Sequence, residues 1–142
     1  MQWEQLQGRS GIRLTIHAAS GIFGPVNMDP ADFYALLSHQ TRLRCLLLLR
    51  AFDELCVCEL TGAIGAAQPH MSRHLARLRE VGLVCDRRQG LWIHYRINPE
   101  LPAWVVAVLD ETALGVSGVQ PFALDLDRLA ANSDRPGAAH CA

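Results

Sequence analysis

The fold is decided by residues 54–97, ELCVCELTGAIGAAQPHMSRHLARLREVGLVCDRRQGLWIHYRI. Within this stretch, residues 68–81 place apolar side chains at helical spacing in one narrow sector, which predicts an amphipathic helix. A shorter helix is predicted near residues 57–64, and Gly65 between the two permits a sharp bend. This order of short helix, bend and longer helix predicts a helix-turn-helix.

A basic hairpin follows the second helix. Residues 83–86 and 91–97 have the composition of two strands, and Arg87-Arg88-Gln89-Gly90 between them predicts a turn with a cationic tip. We therefore predict a mainly α fold with a small β-hairpin, a winged helix-turn-helix in which the hairpin is the wing.

The segments outside this stretch divide the chain into three parts. Residues 1–27 show no sustained periodicity and are predicted to be a poorly ordered N-terminal extension. Residues 28–118 are predicted to hold the winged domain with its dimerisation helices. Residues 119–142 are predicted to be a C-terminal tail with a short helix over residues 121–131.

The flanking helices complete the predicted domain. Asp29 caps the first helix, with Pro30 at its first position, and Thr41 caps the next, which is the apolar core helix. Residues 101–112 form a strongly amphipathic helix that starts at Pro102. No later element is expected to cover its apolar face, so we expect a homodimer through the N- and C-terminal helices.

Positive charge is concentrated around the second helix and the hairpin. Residues 68–96 hold six arginines and two acidic residues, although the whole chain has a net charge of -1. Positive charge concentrated in one region of a protein allows that region to bind the phosphates of a nucleic acid. No apolar run is long enough to span a bilayer and no secretory signal is evident, so we expect a cytoplasmic protein without membrane contact and with reduced cysteines.

The second helix is the predicted recognition helix, because a helix-turn-helix inserts the N-terminal part of that helix into the major groove of DNA. The side chains in this part that are expected to contact DNA are Gln68, His70, Ser72 and Arg73. Arg77 lies further along and favours phosphates, while Arg87 and Arg88 are expected to reach phosphates or the minor groove. His74 lies at the edge of the apolar sector, where packing and a DNA contact are equally expected.

Cys56 and Cys58 stand at the predicted start of the helix over residues 57–64. The positive end of a helix favours the thiolate, which binds As(III), Sb(III) and several soft divalent metals. Residues two apart on a helix point about 200° apart, so both sulfurs can bind one ion only where the backbone is not helical. We therefore expect binding to distort this helix and to displace the recognition helix. As alternatives, the two cysteines fill space at the helix start, or they form a disulfide on oxidation.

The stretch from Leu37 to Ile97 resembles the ArsR/SmtB family of dimeric winged-helix, metal-sensing repressors. The matching pieces are LLSHQTRLRCLLLL, ELCVCEL, QPHMSRHLARLREVGLV and DRRQGLWIHYRI. ELCVCEL is similar to the arsenic-sensing branch, and the resemblance implies a repressor that leaves its operator when a metal or metalloid binds. The sequence departs from the family pattern at His39-Gln40, which replaces Asp-Pro, at Ala67, which replaces a capping Ser, and at Thr61, which replaces a third Cys.

These features together predict a metalloid-responsive repressor that is not an enzyme and requires no cofactor, since the sequence has no phosphate-binding glycine motif and no nucleophile with a base. As a homodimer it would bind an imperfect palindrome and dissociate when As(III), Sb(III) or a methylated arsenical engages Cys56 and Cys58. With Thr61 in the third position, Cys141 is the candidate third ligand, and Cys85 is expected to pack in a wing strand. A redox sensor released by disulfide formation is the alternative function. The preferred inducer, the third ligand and the operator sequence stay open.

Overall fold

The computed structural model describes residues 27–132, which form six helices and three strands. The helices are α1 (Pro30–Leu37), α2 (Gln40–Ala51), α3 (Val57–Ile64), α4 (Gln68–Glu80), α5 (Ala103–Gly115) and α6 (Phe122–Ala131). The strands are β1 (Leu55–Cys56), β2 (Val84–Gln89) and β3 (Trp92–Ile97). The predicted N-terminal extension lies outside the described range except for Asn27. Between residues 27 and 132, no helix combines the length and the apolar character that a membrane span requires.

Helix α2 is the centre of the core. Five consecutive side chains, residues 45–49, are buried, which requires neighbours all round the helix, and the other five helices pack against it. The predicted cap at Asp29 of α1 is confirmed, because its carboxylate accepts a hydrogen bond from the Asp32 N–H at 3.0 Å. The prediction that Thr41 caps α2 is wrong. His39 is the N-cap, and its Nδ1 accepts a hydrogen bond from the Thr41 N–H at 3.2 Å.

Helices α3 and α4 form the predicted helix-turn-helix. Gly65 ends α3 with φ of 80°, a left-handed conformation that glycine adopts without steric cost. On α4 the apolar side chains Met71, Leu75 and Leu78 are fully buried, as the periodicity predicts. Ala67 precedes α4 and supplies no side-chain cap.

The wing is a three-stranded antiparallel sheet in the order β1-β3-β2. Strand β1 is absent from the sequence prediction because two residues carry no periodic signal. In the sheet, Cys56 of β1 lies opposite His94 of β3, which in turn lies opposite Arg87 of β2. The turn of the hairpin falls at residues 90–91. The predicted cationic tip is therefore wrong, since Arg87 and Arg88 belong to β2.

Helix α6 confirms the short helix predicted over residues 121–131. It packs against α2 and α3. Arg44 of α2 donates two hydrogen bonds, of 2.7 and 2.6 Å, to the carboxylate of the buried Asp125. Arg128 donates to the Ala63 carbonyl of α3 at 3.3 Å. Helix α6 is thus part of the folded body.

Candidate functional site

The cysteine pair lies at the junction between β1 and α3. Cys56 is the last residue of β1 and the N-cap of α3, with extended backbone at φ -86° and ψ 166°. Cys58 lies in the first turn of α3, and the two sulfur atoms are 2.7 Å apart. The condition set by helix spacing, a non-helical backbone at one of the two cysteines, is therefore met at Cys56, and distortion of the helix on binding stays a prediction. Because Cys56 belongs to a strand, its side chain meets that of Cys58 while α3 stays helical.

Glu59 secures this junction. Its Oε2 accepts a hydrogen bond from the Cys56 backbone N–H at 2.8 Å, and the Cys56 side chain faces the Glu59 backbone N–H, which completes a capping box. Cys56 is 1% exposed, whereas Cys58 is open to solvent. A soft metal or metalloid ion can therefore bind first to the exposed sulfur of Cys58 and then to the buried sulfur of Cys56 beside it.

The junction is connected to the wing. Cys56, His94 and Arg87 form one row across the three strands, so their side chains share a face of the sheet. Glu54, next to β1, accepts hydrogen bonds from the Arg87 guanidinium, and these lower the pKa of Glu54. His94 is buried, and its Nδ1 has no hydrogen-bond partner in the part of the chain that the structure describes. Sequence reasoning misses His94 because it does not find the strand that pairs with it.

The other positions considered for a third ligand differ in their availability. Thr61 donates its hydroxyl to the Cys58 carbonyl at 2.9 Å, so this side chain is engaged within α3. Cys85 lies in β2 and is partly exposed, which confirms its predicted place in a wing strand. Cys45 is fully buried, and burial raises the pKa of its thiol to about 12, so it packs as a neutral thiol. Cys141 lies outside the described residues.

The N-terminal half of α4 presents most of the predicted DNA contacts. The exposed members are Gln68, His70, Ser72 and Arg73. His74 differs, because it is 9% exposed and its ring lies against those of His39 and His70. Of the two alternatives for His74, the structure favours packing over a DNA contact.

The arginines beyond this half-helix have different partners. Arg77 is exposed and lies 3.7 Å from Glu80, a separation at which a surface pair contributes little. Arg87 is held by Glu54 through the hydrogen bonds described above. Arg88 points to the opposite face of β2, is exposed, and has no ion pair with any residue from 27 to 132. Arg88 is therefore more available to a phosphate than Arg87.

Comparison with known proteins identifies the family. The sequence model of the bacterial regulatory protein, arsR family, matches residues 39–85. The arsenic resistance transcriptional regulator ArsR2 of Pseudomonas putida is 53% identical over 85 residues, which cover 60% of this chain and 74% of that protein. The chain belongs to the ArsR family. The arsenical resistance operon repressor of Escherichia coli, which is 50% identical over 82 residues, is matched over 58% of this chain and 70% of its own length.

Solved structures agree with the assignment to the ArsR family. The AntR antimony-specific transcriptional repressor has a TM-score of 0.54 and 29% identity, over 63% of this chain and 78% of that one. The transcriptional repressor BigR of Xylella fastidiosa has a TM-score of 0.52 and 33% identity, over 59% of this chain and 82% of that one. These likenesses confirm the predicted winged-helix fold. The ArsR-family model and the two relatives in sequence confirm that the chain is a DNA-binding transcriptional regulator and not an enzyme.

Proposed function

We propose that this ArsR-family protein represses transcription from an operator and is released when As(III), Sb(III) or a methylated arsenical binds the thiolates of Cys56 and Cys58. The observation that carries the proposal is the 2.7 Å between the two sulfurs. Two thiolates bound to one centre at about 2.3 Å each lie less than about 4.6 Å apart. A small opening of the pair is therefore enough for both to bind one ion. The names of relatives with similar sequence or fold refer to arsenic or antimony.

The number of sulfurs bears on the choice of inducer. Trivalent arsenic forms three bonds. In a methylated arsenical one of these bonds is to carbon, so the sulfurs of Cys56 and Cys58 supply the other two. Arsenite or antimonite needs a further donor, for which we propose Cys141, a small thiol or water.

Release is proposed to act through the junction that the cysteines occupy. Helix α3 packs against α4, and β1 pairs with β3. A bound metalloid fixes the angle between its bonds to the sulfurs of Cys56 and Cys58. This constraint shifts the end of β1 relative to the first turn of α3. The recognition helix and the wing are both displaced by this shift, which lowers the affinity for DNA. The side chains proposed to contact the operator are Gln68, His70, Ser72, Arg73, Arg77, Arg87 and Arg88, with Arg87 limited by its bond to Glu54.

We also propose that the protein is a homodimer through α1 and α5. Phe33 of α1 and Trp104 of α5 pack edge to face with ring centroids 5.2 Å apart, which joins the two helices into one surface. On these helices Tyr34, Trp104 and Leu114 are 53%, 38% and 71% exposed. A second copy of the chain would remove this apolar surface from water. Two recognition helices related by a two-fold axis would then match an imperfect palindrome.

Titration of the reduced protein with arsenite tests the thiolate site directly, through the ultraviolet absorption of As–S bonds. We expect the wild-type protein to saturate with one arsenic per chain. The Cys56→Ser, Cys58→Ser double variant should lose this absorption, and Cys85→Ser, the matched control in a wing strand, should keep it. Undiminished saturation in the double variant would show that the sensor lies elsewhere.

The close approach of the two sulfurs also favours a second candidate function, a redox switch. Hydrogen peroxide would oxidise the two thiols to one disulfide and be reduced to two molecules of water. Release of DNA by peroxide, reversed by a dithiol reductant and obtained without any metalloid, would favour this candidate. Release by arsenite under conditions that keep the thiols reduced would favour the metalloid sensor.

A further inference from the structure

We propose that His39, His70 and His74 form a second metal site, for a divalent transition ion such as Zn²⁺, between the start of α2 and the recognition helix α4. Each imidazole offers one ring nitrogen, and these nitrogens all lie within 4.8 Å of one another. The Nε2 atoms of His70 and His74 are 3.0 Å apart. The site shares no residue with the cysteine pair, so it can be tested independently of the metalloid switch.

Local geometry explains why three imidazoles meet here. His70 and His74 are four residues apart on α4 and therefore share one face of the helix. His39 reaches them as the N-cap of α2, and its ring centroid is 4.3 Å from that of His74. In a tetrahedral site with Zn–N bonds of about 2.0–2.1 Å, the ligand nitrogens lie about 3.4 Å apart. Small rotations of the rings are enough to reach that spacing.

A ligating imidazole must be neutral and must offer a lone pair. Burial, together with the neighbouring imidazoles, Arg42 and Arg73, lowers the pKa of His74 to about 4. His74 is therefore neutral at pH 7. Nδ1 of His39 accepts a hydrogen bond from the Thr41 N–H at 3.2 Å. When a metal ion binds, rotation of the His39 ring replaces this hydrogen bond with a bond between the imidazole and the metal. Because the two arginines oppose a cation, we expect weaker binding than in a closed four-ligand site.

The donor set determines which ions fit. Three imidazole nitrogens suit Zn²⁺, Cu²⁺ and Ni²⁺, whereas As(III) takes thiolates. With three protein ligands the fourth position is left to water, as in open zinc sites. His39 stands at one of the positions where this sequence departs from the family pattern.

The test uses the full-length Cys56→Ser, Cys58→Ser protein, which lacks the competing thiolates. Zn²⁺ is titrated by calorimetry, and Co²⁺ is titrated by its visible d–d absorption, which is intense when the ion is tetrahedral. We expect one ion per chain and a Co²⁺ spectrum without the thiolate charge-transfer band. His39→Gln and His70→Gln should each lower the affinity at least tenfold. His140→Gln removes an imidazole from outside the described residues and is the matched control.

Far-UV circular dichroism shows whether each variant is folded. We expect His70→Gln to fold, because the His70 side chain is exposed. Zn²⁺ should also raise the Tm of the parent protein, and His70→Gln should abolish that rise. The proposal is overturned if no saturable binding is seen, or if His39→Gln and His70→Gln bind as tightly as the parent. A loss of binding confined to His140→Gln would place the ion elsewhere and would also overturn it.

Discussion

Replacing Asp125 by Asn removes a negative charge from the contact that holds α6 to the rest of the fold. Asp125 is 1% exposed, and both of its carboxylate oxygens accept hydrogen bonds from Arg44, at 2.7 and 2.6 Å. Arg44 also donates to the Ile64 carbonyl at the end of α3, at 3.1 Å. The guanidinium that Asp125 positions therefore stabilises the C-terminus of the helix that carries the cysteines at its other end.

The cost of Asp125→Asn follows from the burial of the pair. Breaking a buried ion pair by removing one partner costs about 3–5 kcal/mol, because the other charge stays buried. Arg44 is 13% exposed, and asparagine keeps one acceptor oxygen, so we expect the low end, about 3 kcal/mol. In a chain of this size 1 kcal/mol shifts the Tm by roughly 3–4 °C, so the Tm should fall by about 10 °C.

The assay is thermal unfolding followed by circular dichroism, at one fixed protein concentration because dimerisation adds to the apparent stability. Asp127→Asn is the matched control, since this residue lies on the same helix and is exposed. It should change the free energy of unfolding by less than about 0.5 kcal/mol. An Asp125→Asn protein as stable as the Asp127→Asn protein would refute the conclusion that α6 is part of the folded body.

Arg88→Ala should reduce the slope of log operator affinity against log salt concentration by about one unit. Arg87→Ala should reduce this slope by less, because Glu54 holds the Arg87 guanidinium. Equal slopes for the two variants would contradict this difference. Gln68→Ala should weaken operator binding roughly 5- to 100-fold in fluorescence anisotropy, a range typical of a lost base contact, and unchanged affinity would remove Gln68 from the interface. The folded-state pKa of Cys45 is raised to about 12 from 9.0, so its contribution to stability is present below pH 9 and is lost as the pH rises towards 12. Urea unfolding at several pH values should therefore show a shallower decline above pH 9 in Cys45→Ala than in wild type, and identical declines would contradict the raised pKa.

The helices were predictable from the sequence because their apolar residues repeat over several turns. The spacing of Met71, Leu75 and Leu78 predicts both the existence of α4 and the face that is buried. Gly65 fixes the bend before α4, because few other residues adopt its left-handed backbone without strain.

Features that depend on contacts distant in sequence were not predictable. Strand β1 exists because β3 pairs with it, and this pairing gives Cys56 the extended backbone that brings its sulfur to Cys58. Helix spacing alone predicts that the two sulfurs diverge. In the same way, Thr41 is a better cap than His39 by residue type, but the imidazole of His39 reaches the Thr41 N–H in the folded chain. The three-histidine cluster depends on the packing of α2 against α4, which the sequence does not specify.

The central claim is that Cys56 and Cys58 together release the protein from DNA. The most direct measurement is fluorescence anisotropy of a labelled operator bound by the reduced protein, titrated with arsenite and separately with methylarsenite. The wild-type protein and Cys85→Ser should dissociate as the metalloid is added. The Cys56→Ser, Cys58→Ser protein should bind the same operator and stay bound throughout the titration. Release of the double variant at the same metalloid concentration as wild type would contradict the claim.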